Sequence, residues 1–182
     1  MNLDGPDGWK YYFHDLRTNE RILSRRQCGG GSVMLWASIS YNGKTEIKFI
    51  DSRMKNTGYL KLIKEQIHDN GRRIAGDNFI FQHDNAAVHT AKIIKNFLNS
   101  ENIQTLDWPA RSPDLNIIEN VWSQLSRMVY EGGKQYTNLI ELKRAILSAW
   151  CTLDQPYIKK LYKSLPNRMI EVVQNKGGST HY

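Results

Sequence analysis

Two acidic residues stand where chemistry on a phosphodiester would need them. Asp84 closes the apolar run Asn78-Phe79-Ile80-Phe81-Gln82-His83, and Glu119 follows Pro113-Asp114-Leu115-Asn116-Ile117-Ile118, with 34 residues between the two acids. Breaking or making a phosphodiester with water or a 3′-hydroxyl requires charge neutralisation at both the attacking and the leaving oxygen, which two divalent ions about 3.5–4 Å apart supply. Hard ions such as Mg²⁺ or Mn²⁺ prefer carboxylate oxygens, and the carboxylates must come from separate elements that converge at one edge of a sheet. One acid at a strand end and one early in a helix meet that requirement. Each has an ordinary reading as well: a strand-end Asp commonly closes a turn, and a helix Glu is commonly a solvated charge.

The elements that would position them are legible in outline. Asn78 to Gln82 is a buried-type strand that delivers Asp84. Ser112-Pro113 reads as the start of a helix, Ser at the cap and Pro at the first helical position, where its missing N–H costs nothing. Leu115, Ile118, Val121, Trp122, Leu125 and Val129 form the apolar stripe of that helix. At about 100° per residue, Glu119 falls at the rim of the stripe, facing the sheet. Upstream, Ser32 to Ser40 and Thr45 to Ile50 flank Asn42-Gly43 as a hairpin, and Lys10 to His14 reads as a short aromatic strand. Gly29-Gly30-Gly31 has no following Lys-Ser/Thr and reads as a turn, not a phosphate loop. Thr57 to Asp69 is helical, with Gly71 as its stop. Thr90 caps a helix carrying Ile93, Ile94, Phe97 and Leu98, and Ile103 to Leu106 is a short strand. The last third reads as three helices: one around Leu139 to Trp150, one from Tyr157 to Leu165, and one beginning at Pro166 and ending at Gly177-Gly178. Strands that come to alternate with helices indicate an α/β mixed sheet.

Composition sets the outer bounds. The chain has 182 residues, 40% of them apolar and 24% charged, enough for one domain with a sizeable core. No apolar run approaches the roughly 20 residues that span a bilayer, and Asn2 to Asp7 has none of the character of a signal peptide; a cytosolic or nuclear protein without membrane partners is expected. Cys28 and Cys151 lack metal-ligand spacing and read as packing residues. The net charge of +7 suits a polyanion, although the basic residues are scattered.

Longer stretches of the sequence resemble the mariner superfamily of transposases, in its branch with 34 residues between the last two acids. The resemblance runs through Asn2-Leu3-Asp4-Gly5-Pro6-Asp7-Gly8, Gly29-Gly30-Gly31-Ser32-Val33-Met34, Gln82 to His89, and Trp108-Pro109-Ala110-Arg111-Ser112-Pro113-Asp114-Leu115-Asn116 onward to Trp122. It ends at Lys176 to Tyr182, which looks like the family's C-terminus. Ile117 replaces the family's usual proline, a change that a helix tolerates. The resemblance implies an RNase H-like mixed sheet flanked by helices, with Asp84 as the second and Glu119 as the third metal-binding, catalytic acid. It further implies Mg²⁺ or Mn²⁺ as cofactor, DNA transposon ends as partner, cutting and joining of DNA in transposition as activity, and the nucleus as location. A homodimer is compatible with it.

In that family a strand bearing a first aspartate and a paired helix-turn-helix region precede the segment that begins here at Asn2. Residues 1–182 are therefore expected to form one catalytic domain truncated at its N-terminus. The first, central strand would be missing, the sheet would have a gap or an improvised pairing beside Asn78 to Gln82, and the chain by itself would be inactive. Asp4, Asp7 and Asp15 are not expected to replace the missing first acid: Asp4 and Asp7 match other family positions, and Asp15 follows the strand Lys10 to His14. The alternative reading is a non-catalytic remnant with weak, non-specific nucleic-acid affinity, or a domain that serves only in interactions. His83 and His89 beside Asp84 read as hydrogen-bonded rather than metal-ligating, Trp108 as packing over its loop, and Asn85 and Asn116 as residues that orient the acids or close turns.

Overall fold

Asn42-Gly43 does turn the chain back on itself, but not in the geometry that this pair usually adopts. The computed structural model describes residues 1–2, 31–50, 54–110, 112–178 and 180–182; Lys10 to His14, Asp4, Asp7, Asp15 and Cys28 lie outside them. Strand β1 (Met34–Trp36) pairs antiparallel with β2 (Lys48–Ile50), Leu35 opposite Phe49. The turn is closed by the Ser40 N–H donating to the Gly43 carbonyl at 2.7 Å, while the Asn42 and Gly43 N–H groups donate to Ser40 Oγ at 3.1 Å each. Gly43 is not at positive φ. Its lack of a side chain answers a different need: a Cβ there would lie 2.9 Å from Ile74 Cγ2.

Ile74 belongs to α1 (Asn56–Ala75), a 20-residue helix that runs through Gly71 instead of stopping at it. Gly71 is there because the ring of Phe79 lies against it; a Cβ would meet Phe79 Cζ at 2.9 Å. The helix ends at Gly76, whose φ of 87° is open to glycine at little cost. Then follow β3 (Ile80–Phe81), α2 (Lys92–Ser100), and β4 (Gln104–Thr105), which pairs parallel with β3. The N-cap of α2 is Ala91, one residue past the predicted Thr90. Helix α3 (Ile117–Val129) starts after a turn at Pro113 to Leu115, with Asn116 and not Ser112 at its N-cap. Helix α4 (Leu139–Thr152) is capped by Asn138, and α5 (Gln155–Gln174) by Asp154. Pro166 lies inside α5, so the last two predicted helices are one; the proline forfeits a single intrahelical bond, and packing of Ile158, Leu161 and Arg168 carries the helix across it. Cys151 is exposed, which corrects its reading as a packing residue. Among the described residues no helix is long and apolar enough to cross a membrane.

The apolar residues gather into two cores. One joins Val33, Ala37 and Ile47 of the hairpin to α3, α4 and α5 through Val121, Leu125, Leu142, Ile146 and Ile158. The other joins α1 to α2 through Tyr59, Ile63, Ile67, Ile94 and Leu98, with Phe79 and Phe81 packed against it. Lys44 and Trp150 tie the hairpin to the first core: Trp150 Nε1 donates to the Thr45 carbonyl at 2.8 Å, and Lys44 Nζ donates to the carbonyls of Trp150 and Leu153 at the end of α4, where a cation is favoured.

Among the described residues β1 pairs with β2, and β3 with β4, in two separate sheets. A cavity of about 460 Å³ lies between them, lined by β1, α1, β3 and the start of α3. Among the described residues no strand pairs with both β1 and β3, and Gln82 Nε2 is buried at the cavity without a hydrogen-bond partner. Buried backbone groups left unpaired cost about 1–3 kcal/mol each, against total stabilities of only ~5–15 kcal/mol, and open strand edges invite pairing between molecules. The purified chain is accordingly expected to associate progressively with rising concentration, as followed by size-exclusion chromatography with light scattering. A monodisperse monomer with a sharp, cooperative melt is the result that would contradict this.

Candidate active site

Asp84 lies three residues beyond the end of β3, where the parallel pairing with β4 has just ended; the Leu106 N–H still donates to the Phe81 carbonyl at 3.1 Å. Its Oδ1 accepts from the Ala86 N–H at 3.1 Å and from His89 Nδ1 at 2.5 Å. A carboxylate can only accept, so this contact places the His89 proton on Nδ1. Among the described residues both of these bonds fall on Oδ1, which leaves Oδ2 for a ligand. Asn85 does not turn toward the acid: its Nδ2 donates to the Trp108 carbonyl at 2.7 Å and ties the loop after β3 to the loop after β4.

Glu119 is the third residue of α3. Ile117, Val121, Leu125 and Val129 are the buried stripe of that helix, and Glu119 sits beside it at solvent-accessible depth, on the rim that the periodicity predicts. Asp84 and Glu119 line the same cavity. Loss of water around the Glu119 carboxyl raises its pKa, and the charge of Asp84 raises it further. The fold thus brings together the two acids singled out in the sequence. Asn116 lines the cavity and caps α3 without a side-chain bond; its carbonyl accepts from the Glu119 N–H at 3.0 Å.

Aromatic rings close the Asp84 side. Tyr59 of α1, 2% exposed, shares a 3.3 Å hydrogen bond with His83 Nδ1 and packs its ring 4.3 Å from that of His89. The His83 and His89 rings stack at 5.3 Å. Burial and then the Asp84 charge push the Tyr59 hydroxyl above its ordinary range. Burial holds His83 down to about 4, with His89 adding to the shift and Asp84 opposing it. Tyr59 escaped the sequence reading, which ran the apolar face of α1 through Leu60. The spacing Tyr59, Ile63, Ile67 would have found it. Trp108 borders a second, smaller cavity with His83, Asn85 and His89.

Two carboxylates, one past a strand and one on a helix, thus line one cavity between the two sheets, and comparison with known proteins shows the family. The family described as DDE superfamily endonuclease matches residues 1–143, and the chain belongs to it. Within that family it is homologous to transposases of the Tc1/mariner group. It is 40% identical over 182 residues to the transposable element Tc3 transposase of Caenorhabditis elegans, covering 100% of this chain and 55% of that one. It is 33% identical over 185 residues to the transposable element Tcb2 transposase of Caenorhabditis briggsae, covering 67% of the latter. The chain thus spans about half to two-thirds of the length of these relatives. In fold it superposes on a Mos1 transposase paired-end complex with left transposon end at a TM-score of 0.82 and 19% identity, covering 98% of this chain and 53% of that chain. With the crystal structure of the catalytic domain of Mos1 mariner transposase the TM-score is 0.69 at 19% identity, over 82% of this chain and 76% of that one. The architecture is RNase H-like.

The shifts have a consequence for stability. Between its folded value of about 4 and its ordinary value of 6.5, His83 is neutral in the folded chain and protonated in the unfolded one. The unfolded state then binds more protons, so stability falls as pH drops from about 6.5 towards 4. Glu119 works with the opposite sign: its raised pKa contributes stability at low pH that is lost as pH rises through the folded value. Urea denaturation across this window is expected to show a shallower acid-side loss in His83→Asn than in the parent chain. In Asp84→Asn the Glu119 titration, read by NMR, is expected to fall toward the ordinary range but to stay above it, because the larger cause is burial.

Proposed function

We propose that this chain is the catalytic core of a transposase that cuts and joins DNA with divalent ions held by Asp84 and Glu119. The observation that carries the reading is the convergence of these two carboxylates, from a strand end and a helix, on one cavity where the charge of one disfavours ionisation of the other. Two acids in that relation fit a divalent cation, which removes the repulsion and favours both charged forms. Mg²⁺ or Mn²⁺ bound there would neutralise the developing charge on the phosphodiester oxygens. The protein's part is to hold the carboxylates: His89 and the Ala86 N–H fix Asp84 through Oδ1, and the docking of α3 fixes Glu119. The kinship and the net charge of +7 support DNA as the substrate, and the nucleus is the location proposed with it.

Among the described residues no group of three or more His, Cys, Asp or Glu side chains is arranged to hold a metal ion. We therefore propose that full activity needs a further carboxylate, on an extended segment that pairs in the cavity between β1 and β3. The second reading is a non-catalytic remnant with weak nucleic-acid affinity, and a cleavage assay separates the two. In a plasmid-nicking assay with Mg²⁺ or Mn²⁺, the chain alone is expected to show no cleavage above that of Asp84→Ala; strong cleavage that vanishes in that variant would mean that no further acid is required. Binding to short duplexes is expected to be weak and to fall steeply with salt. A preference of about a hundredfold or more for one sequence would contradict binding through phosphate contacts alone.

A further inference from the structure

Arg168 is the largest fully buried side chain in the molecule's described part, 1% exposed, on a helix whose neighbouring positions Met169 and Ile170 face solvent. Its partners are unusual for a buried cation. Nε donates to Ser164 Oγ at 2.9 Å, and NH1 donates both to the Asp114 carbonyl at 2.5 Å and to Asn120 Oδ1 at 2.9 Å. The guanidinium lies 4.6 Å from the centre of the Tyr182 ring. Three neutral acceptors and a ring, with the Asp114 charge nearby, repay the desolvation of a cation poorly, and a well-packed apolar side chain of similar volume is often as good or better for stability. What an apolar residue cannot do is donate from one nitrogen to two points around the start of another helix while a second nitrogen is held on its own helix.

Those two points bracket Glu119. Asp114 lies in the turn that leads into α3, and Asn120 is the residue directly after the acid. The helix start needs such a tether, because its N-cap, Asn116, makes no side-chain cap bond. Helix α5 grips the same place a second time: Tyr157 Oη donates to the Asn120 carbonyl at 3.2 Å. The C-terminal residues close over it, with the Thr180 N–H donating to Asp114 Oδ2 at 3.0 Å.

We propose that Arg168 is a positioning residue for Glu119: by bonding Asp114 and Asn120 at once, it fixes the first turn of α3 and so the place of the carboxylate in the cavity. The metal half of this inference rests on the proposed function; the helix half does not. Two variants of the full chain separate the tether from general stability. Arg168→Lys keeps the charge but loses the Nε bond to Ser164 that aims the bridging nitrogen, and Asn120→Ala removes one anchor while improving helix propensity. Amide hydrogen exchange read by NMR is expected to quicken at Ile117 to Val121 in both variants, with the amides of α4 unchanged. Mn²⁺ affinity, measured by the EPR signal of the free ion, is expected to weaken by about 10–100-fold, as for residues that orient metal ligands. Unchanged exchange at Ile117 to Val121 in both variants overturns the proposal, whatever the metal does. Faster exchange with unaltered Mn²⁺ affinity overturns it too, provided that Asp84→Ala abolishes binding. Mn²⁺ binding that survives Asp84→Ala refutes the metal reading instead, and the exchange data then decide the case for Arg168.

Discussion

Asp84 and Glu119 approach one another across a seam, and burial first, then the charge of Asp84, holds the Glu119 carboxyl above the usual carboxylate range. Repulsion of this kind grows as water withdraws, so a chain that places two carboxylates together must restrain both. Asp84 is restrained from the core that α1 and α2 share, through Phe81, Tyr59 and the two histidines. Glu119 is restrained from the other core, through the buried stripe of α3. The relation between the acids is therefore a relation between two packed bodies, and the elements that touch both bodies set its geometry.

The aromatic cluster around Asp84 shows how a site can hold charge without exposing it to every neighbour. His89 supplies a hydrogen-bond donor, while His83, one place before the acid, is kept neutral by burial.

The acids themselves were readable because their types are rare at a strand end and on the rim of an apolar stripe, and because the words around them are specific. The hairpin, α3 and α4 were readable because their periodicity agrees with their packing. The misreadings share one cause. Gly71 and Pro166 are punctuation in a local reading, yet Gly71 answers the ring of Phe79 and Pro166 is overridden by the burial of its own helix face. Arg168 looks like a surface charge in sequence and is the largest fully buried side chain among the described residues. Each depends on a partner distant along the chain, which local pattern does not encode.

Helix α1 presses Ile74 against Gly43 at the hairpin tip and Gly71 against Phe79 ahead of β3. It works as a spacer that sets the distance between the two strands without taking part in either sheet. A methyl group at either glycine would meet Ile74 or the Phe79 ring at 2.9 Å and force one of them to move, at the roughly 1–3 kcal/mol that overpacking costs. The mutational target for disabling this site is thus wider than its acids. A lineage no longer held to function could lose the chemistry through an alanine at position 43 or 71 while both carboxylates, read in sequence, still looked intact.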